Sequence, residues 1–389
     1  MSKIFDVNAH LHTPYSFSAF DDVAQALDMA AEENVKVVGI NDFYSMDGYR
    51  EWHDGCAKRG LYPLFGIEMI ALNADAQRAG MRVNDPNNPG RTYLSGKGLA
   101  YPVILSGREA EQLRTVREES NRQVACMCAK LNEVLDARKA AFRLDYDELV
   151  RTLTRGSLRE RHLAKALRLA AEKMYEVRGE RSDVRGLMED GREESVEGKQ
   201  ADELAGFYEH LCGKPLKSGV TDAAGVENDL RSYLLKAGGA AFVPEEPAAF
   251  LPVETVCAII RAAGGIPTYP FLADDAKGGF TDFEGDLMQA ADTLRRRGIP
   301  SVEFITTRNT TPVLEQYAGY LEDEGFIVTF GSEHNTPAME PIRLRTRDAE
   351  SLTDKLRAIN WRGACRIAAH QAGLGADAAA GERLILNEK

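Results

Sequence analysis

The chain has 389 residues, 44% hydrophobic and 28% charged, with a formal net charge of −12. That length exceeds one ordinary domain but suits an α/β barrel carrying an insertion, and the acidic balance argues against a broad grip on nucleic acid or an anionic membrane. No apolar run approaches the ~20 residues of a membrane span, and the six cysteines include no C-x-x-C pair, so free thiols in a reducing cytoplasm are expected.

The first hundred residues alternate strand and helix. Residues 4–9 read as a strand running into His10-Leu11-His12. Asp21 or Asp22 can cap the next helix, whose apolar face is Val23, Ala26, Leu27 and Ala30. Val35–Ile40 suits a buried parallel strand ending at Asn41-Asp42. A second helix leads to a third strand, Leu61–Met69, that carries Glu68. Residues 73–98, rich in Gly, Asn, Pro and Arg, read as a long loop, and Tyr101–Leu105 as a fourth strand.

From Arg108 to about Val177 the chain turns charged and helical, with an apolar stripe at Val124, Met127, Leu131 and Val134. Residues 179–202 are dominated by Arg, Glu, Asp and Gly and are expected to be exposed. Helical pattern returns at 202–212 and 225–237. After Pro252 the alternation resumes: helix at Thr255–Ala263, strand at Ile266–Tyr269, helix at Phe283–Arg297. Strand Val302–Thr306, helix Thr311–Glu324 and strand Phe326–Gly331 follow, then helices at Asp348–Ile359 and Arg366–Gln371. The organisation expected is a parallel α/β body over 1–107 and 251–389, interrupted by a helical insertion over 108–250.

Chemistry on such a body belongs at the C-terminal ends of the strands, where the polar clusters of this sequence fall. On a strand, residues two apart point the same way, so His10 and His12 can reach one ion, although a lone His-x-His is more often incidental. Glu68 sits among Phe65, Gly66, Ile67 and Met69, where a carboxylate is costly unless paired or metal-bound. Glu333-His334 follow the run Ile327–Phe330. Each has a bland alternative, a rim carboxylate in water or a polar turn, but together they mark one rim. Two imidazoles and two carboxylates suit Zn, Mn or Fe rather than Ca.

The motifs resemble those of the PHP (polymerase and histidinol phosphatase) superfamily. His10-Leu11-His12-Thr13-Pro14-Tyr15-Ser16 is similar to its first motif, Val37–Phe43 with Asp47-Gly48-Tyr49 to its second, Gly66-Ile67-Glu68 to its bridging-glutamate motif. Ala262–Pro270 resembles a segment that ordinarily ends Ala-His-Pro, and Gly331–Asn335 a Gly-Ser-Asp-x-His segment. Arg161–Leu167, Tyr233-Leu234-Leu235 with Ala241–Pro244, Val302-Glu303-Phe304 and Tyr317-Ala318 resemble the nucleotide and oligonucleotide phosphoesterase branch, which carries a helical insertion. The resemblance implies a distorted (β/α)7 barrel and metal-dependent phosphoester hydrolysis.

It also implies a reduced centre. Aligned without gaps, ordinary ligand positions fall on Phe17, Phe43, Tyr269 and Asn335, and the His expected after the bridging Glu has no counterpart. What remains is one ion's set, His10, His12, Glu68 and Glu333, so a single divalent transition metal (Zn, Mn or Fe) per chain is expected. Such an ion would bring the pKa of a bound water towards ~7. Asp42, Tyr269 and His334 are the candidates for proton transfer, and Arg91, Arg161, His162, Arg308 and Asn335 for substrate binding. The expected partner is a small phosphorylated or otherwise anionic metabolite such as a nucleotide, with no membrane and no extended nucleic-acid surface. The rival expectation is a barrel that binds an anionic metabolite without catalysis.

Overall fold

The computed structural model describes residues 4–181, 196–275 and 277–386. Two compact units emerge, one of residues 1–117, 247–335 and 339–389, the other of 118–246 with 336–338.

The first unit is built on one sheet. Its strands are β1 (Asp6–Leu11), β2 (Val35–Phe43), β3 (Tyr62–Leu72), β4 (Arg91–Lys97), β5 (Leu251–Pro252), β6 (Ile266–Phe271), β7 (Ser301–Ile305) and β8 (Ile327–Gly331). They run in the order β1-β2-β3-β4-β6-β7-β8, with β5 beside the end of β3. All neighbours are parallel except β4, which is antiparallel to both β3 and β6. The last strand turns back to the first. Glu333 N donates to His10 O at 2.9 Å and His12 N to Glu333 O at 2.8 Å, so the seven-strand path comes close to a closed barrel. Gly331 makes this approach possible, because a Cβ there would collide with His10 Cβ.

β4 lies where a loop was expected, and Tyr101–Leu105, expected as the fourth strand, is irregular. Most of the Asn, Pro and Gly that suggested a loop fall within residues 84–90, while Arg91–Lys97 finds two partner strands whose edges it satisfies.

Helices α1 (Val23–Glu32), α2 (Tyr49–Arg59) and the one-turn α3 (Ala74–Arg78) belong to the first half of this unit. Asp22 and Asn73 cap α1 and α3 by accepting from Gln25 N and Ala76 N, a bond worth about 1 kcal/mol each. A long helix, α4 (Gly107–Ala137), leads away from it. The second unit, from Glu118, adds α5 (Tyr146–Leu153), α6 (Glu160–Arg181), α7 (Val196–Cys212) and α8 (Ala223–Leu230), the last running into one π-helical turn, Arg231–Leu235. The stripe expected on α4 packs in its own core, with Val124, Met127 and Leu131 buried among Leu163, Leu167 and Tyr208. Of the charged stretch expected to be exposed at 179–202, residues 182–195 lie outside the described residues.

The first unit resumes with α9 (Val253–Ala262), α10 (Leu287–Arg296) and α11 (Thr311–Asp323), and ends with α12 (Asp354–Gln371) and α13 (Ala378–Leu386). α12 is one continuous helix where two were expected. Gly363, which interrupts the pattern, is the point of closest approach to the sheet: a Cβ there would collide with Val328 O. Trp361, Ala364, Ile367 and Ala368 of α12 pack on Val7, Val37, Leu64, Ile266 and Ile327. These residues belong to the N-terminal halves of their strands, so α12 stoppers that end and leaves the C-terminal rim for chemistry. All six cysteines are free thiols, and among the described residues no helix is long and apolar enough to cross a membrane.

Candidate metal centre

β1 delivers His10 from within the strand and His12 just past its end, and β3 brings Glu68 between Phe43 of β2 and Ser95 of β4. All three side chains are buried. Their donor atoms lie within 4.8 Å of one another. His10 Nε2 is 3.2 Å from His12 Nε2. Glu68 Oε2 is 3.1 Å from His12 Nε2 and 3.8 Å from His10 Nε2.

What stands behind each ring fixes its tautomer. His10 Nδ1 donates to Glu303 Oε2 at 2.9 Å, because a carboxylate can only accept. Ser16 Oγ donates to Asp42 Oδ1 at 2.5 Å, so it accepts from His12 Nδ1 at 3.1 Å. Both Nε2 atoms then carry lone pairs, assigned from this network, and they face each other. The Asn41 amide nitrogen is 3.1 Å from His10 Nε2 and 3.3 Å from Nδ1. Near-equal distances put it beside the ring, off the Nε2 lone pair. Glu68 Oε2 has no hydrogen-bond donor. Three acceptors converging on one point repel unless a cation lies among them. Donors held ~2.0–2.2 Å from one ion sit about 3–4 Å apart, as these do. The residues present therefore fit a divalent transition metal.

Burial pushes the Glu68 carboxyl up to about 8, against the pull of His10. Glu303 is also buried, but Lys97 and His10 outweigh that and hold it well below the usual carboxylate range. Lys97 Nζ is 2.7 Å from Glu303 Oε2, and burial lowers its own pKa.

The fourth expected ligand, Glu333, is not among the three clustered donors. Its Oε2 accepts from Arg308 Nη2 at 2.6 Å, and Arg308 offsets its burial to keep its pKa low. Glu333 and His334 both have left-handed backbones, φ 63° and 54°, a conformation uncommon outside glycine and frequent at functional sites.

The other expected site residues are placed as follows. Asp42 is buried and accepts from Thr13 N at 2.7 Å, Thr13 Oγ1 at 2.5 Å and Ser16 Oγ, tying the turn after His12 to β2, and burial raises its pKa to about 7. Tyr269 lies on the other face of the sheet. It pairs in register with Val302, whereas Glu303 pairs with Pro270, and strand faces alternate. Its hydroxyl donates to Glu284 at 2.9 Å and its ring packs on Phe271 and Phe283, apart from the imidazoles. His334 has both ring nitrogens engaged, Nδ1 with Ser332 Oγ and Nε2 with Glu340 O, each at 2.7 Å, and its ring stacks on Phe20. Asn335 follows, half-buried. Arg91 opens β4 opposite Leu72, four positions beyond Glu68, beside Asp85 and Phe250. Arg161 and His162 belong to the second unit, where His162 is buried and its Nδ1 accepts from Arg159 N at 2.9 Å.

Four supporting residues were not expected in these roles: Ser16, Asn41, Lys97 and Glu303. A signal existed for the last, a carboxylate alternating with Val302 and Phe304 in a core strand. The loop-like composition before Lys97 hid its place on a strand.

A protein-family model described as PHP domain matches residues 8–210. No curated protein matches. Among solved structures, the chain is similar to a candidate metal-dependent phosphoesterase from Bifidobacterium adolescentis, at 15% identity and TM-score 0.53, over 91% of this chain and 95% of that one. It is also similar to an amidohydrolase from Chromobacterium violaceum holding sulfate and no metal, at 15% identity and TM-score 0.52, over 90% and 93%. At such identity the likeness concerns the fold.

Proposed function

The chain belongs to the PHP domain family, and on that footing we propose that it is a metal-dependent phosphoric ester hydrolase with a reduced centre, acting on a small phosphorylated metabolite such as a nucleotide. One divalent transition metal is held by His10, His12 and Glu68. The observation that carries this is the convergence of two Nε2 lone pairs on a Glu68 oxygen that has no donor. The solved structures of like fold are described as a candidate metal-dependent phosphoesterase and an amidohydrolase, which supports hydrolase chemistry.

When bound, the ion supplies Lewis acidity, acidifying a water towards pKa ~7 and polarising an ester oxygen. The protein's part is to present neutral imidazoles and to hold the substrate. Glu303 and the Ser16–Asp42 pair keep the protons of His10 and His12 on Nδ1. Arg308, whose side chain is 45% exposed, offers a charge to a phosphoryl group beside the cluster. Glu333, the fourth expected ligand, is held by Arg308 and would complete the set only if that pair opened. Phe43, stacked on His12 at 5.2 Å, puts an apolar wall where the family resemblance implies another imidazole, which supports a single ion. The same wall is what favours the second reading, a barrel that binds an anionic metabolite without hydrolysis.

Elemental analysis of freshly purified protein decides between them. About one transition metal per chain, lost in Glu68→Ala and His10→Ala, is the expected result, and metal content unchanged in both variants would sink the site. Absence of metal from the wild type, with no phosphatase activity on nucleoside monophosphates after adding Mn or Zn, would leave the binder.

A further inference from the structure

Lys97 is a fully buried lysine inside the barrel, and every one of its ammonium hydrogens has an acceptor. Its Nζ lies 2.9 Å from Ala9 O, 3.2 Å from Asn41 Oδ1 and 2.7 Å from Glu303 Oε2. These partners have His10 in common. Ala9 is its backbone neighbour on β1. Asn41 lays its amide nitrogen beside the His10 ring. Glu303 Oε2, the oxygen that takes the lysine, also takes the proton on His10 Nδ1 at 2.9 Å.

We propose that Lys97 and Glu303 form a buried positioning pair that sets His10 as the Nδ1–H tautomer and aims its Nε2 at the centre, so that metal affinity is tuned from beneath the site by a residue that touches neither metal nor substrate. This rests on the metal centre proposed above. The alternative state of the ring is at hand. With the proton on Nε2 instead, His10 donates to His12 Nε2, 3.2 Å away, which carries a lone pair. A proton shared there would take both imidazole nitrogens from the ion at once. One Glu303 oxygen serving two donors, one of them a full charge, holds the ring against that slip. A carboxylate behind a ligating imidazole is a general device for raising ligand basicity and fixing ring orientation. Here the carboxylate is itself pinned by an ammonium in the barrel.

The test is the variant Lys97→Met/Glu303→Leu, which removes both charges together and so leaves no unpaired ion in the core. Two quantities are read on full-length protein: Zn affinity by competition with a chelating dye, and the His10 tautomer in metal-free protein by two-bond 1H–15N spectra, assigned by the signal lost in His10→Gln. The expected result is a Zn affinity about 10–100-fold weaker and a His10 proton moved to Nε2. An unchanged tautomer together with affinity within about twofold of wild type would overturn the proposal. If the double variant does not fold, Glu303→Gln replaces it, with an expected loss of about threefold or more from the weaker acceptor behind His10, and wild-type affinity overturns. Should the wild type itself bind no metal, the functional proposal fails while the tautomer measurement still decides this one.

Discussion

Phe43 lies flat against His12, ring centroids 5.2 Å apart and planes 17° from parallel. The stack steadies a ligand and at the same time closes off one side of the cluster, since a phenyl ring offers no donor atom. Phe43→His puts an imidazole at the end of β2 beside His12 and Glu68. The expected outcome is a metal content above one per chain, read by elemental analysis after equilibration with Zn or Mn. Content that stays at the wild-type level would show that more than this one side chain limits the centre.

Ser16 stands between His12 Nδ1 and Asp42. Ser16→Ala takes the acceptor from the imidazole and one donor from a buried carboxylate. Metal affinity is expected to fall about tenfold, and stability by about 1–3 kcal/mol from the less well satisfied Asp42. Isothermal titration and urea unfolding measure the two separately.

Arg308 is paired with Glu333 rather than with any of the clustered donors. Arg308→Ala is therefore expected to leave metal content near wild type. It should raise KM for a phosphorylated substrate about tenfold, the order of one charge-assisted hydrogen bond. Metal lost from this variant would instead place Arg308 among the supports of the ligands.

Glu284 accepts from Tyr269 Oη, Leu272 N and Ala273 N, yet burial raises its pKa from 4.5 to about 8. Between those values the folded protein holds a proton that the unfolded chain has released. The stability this group contributes is therefore present below pH ~4.5 and declines as pH rises through the window towards 8. Glu284→Gln cannot titrate. Its Tm relative to wild type should improve from pH 5 to about pH 8 and level off above that, and a constant difference across that range would refute the assignment.

The parallel strands were legible because each is a short apolar run with a polar terminus, and the pattern of a buried strand needs only neighbours in sequence. His10, His12 and Glu68 were legible for the same reason, as polar groups interrupting or ending such runs. β4 was not. Its residues alternate weakly, and its status depends on two strands, β3 and β6, separated from each other by about half of the chain. The place of Lys97 on a strand inside the barrel went unrecognised with it, and Tyr269 was assigned to the site because a motif position does not reveal which face of a strand it occupies.

The sequence by itself therefore determined the alternating α/β body and the helical stretch within it, which follow from local periodicity and composition, and it offered His10, His12 and Glu68 as polar groups at the strand ends. Only the tertiary structure decided that His10 is backed by Glu303 and Lys97, that Glu333 rests on Arg308, and that Tyr269 faces outward. Those facts depend on register and barrel closure. Register turns on one-residue shifts that reverse every side chain, and closure on the glycine contact between Gly331 and His10, across a separation no local pattern spans.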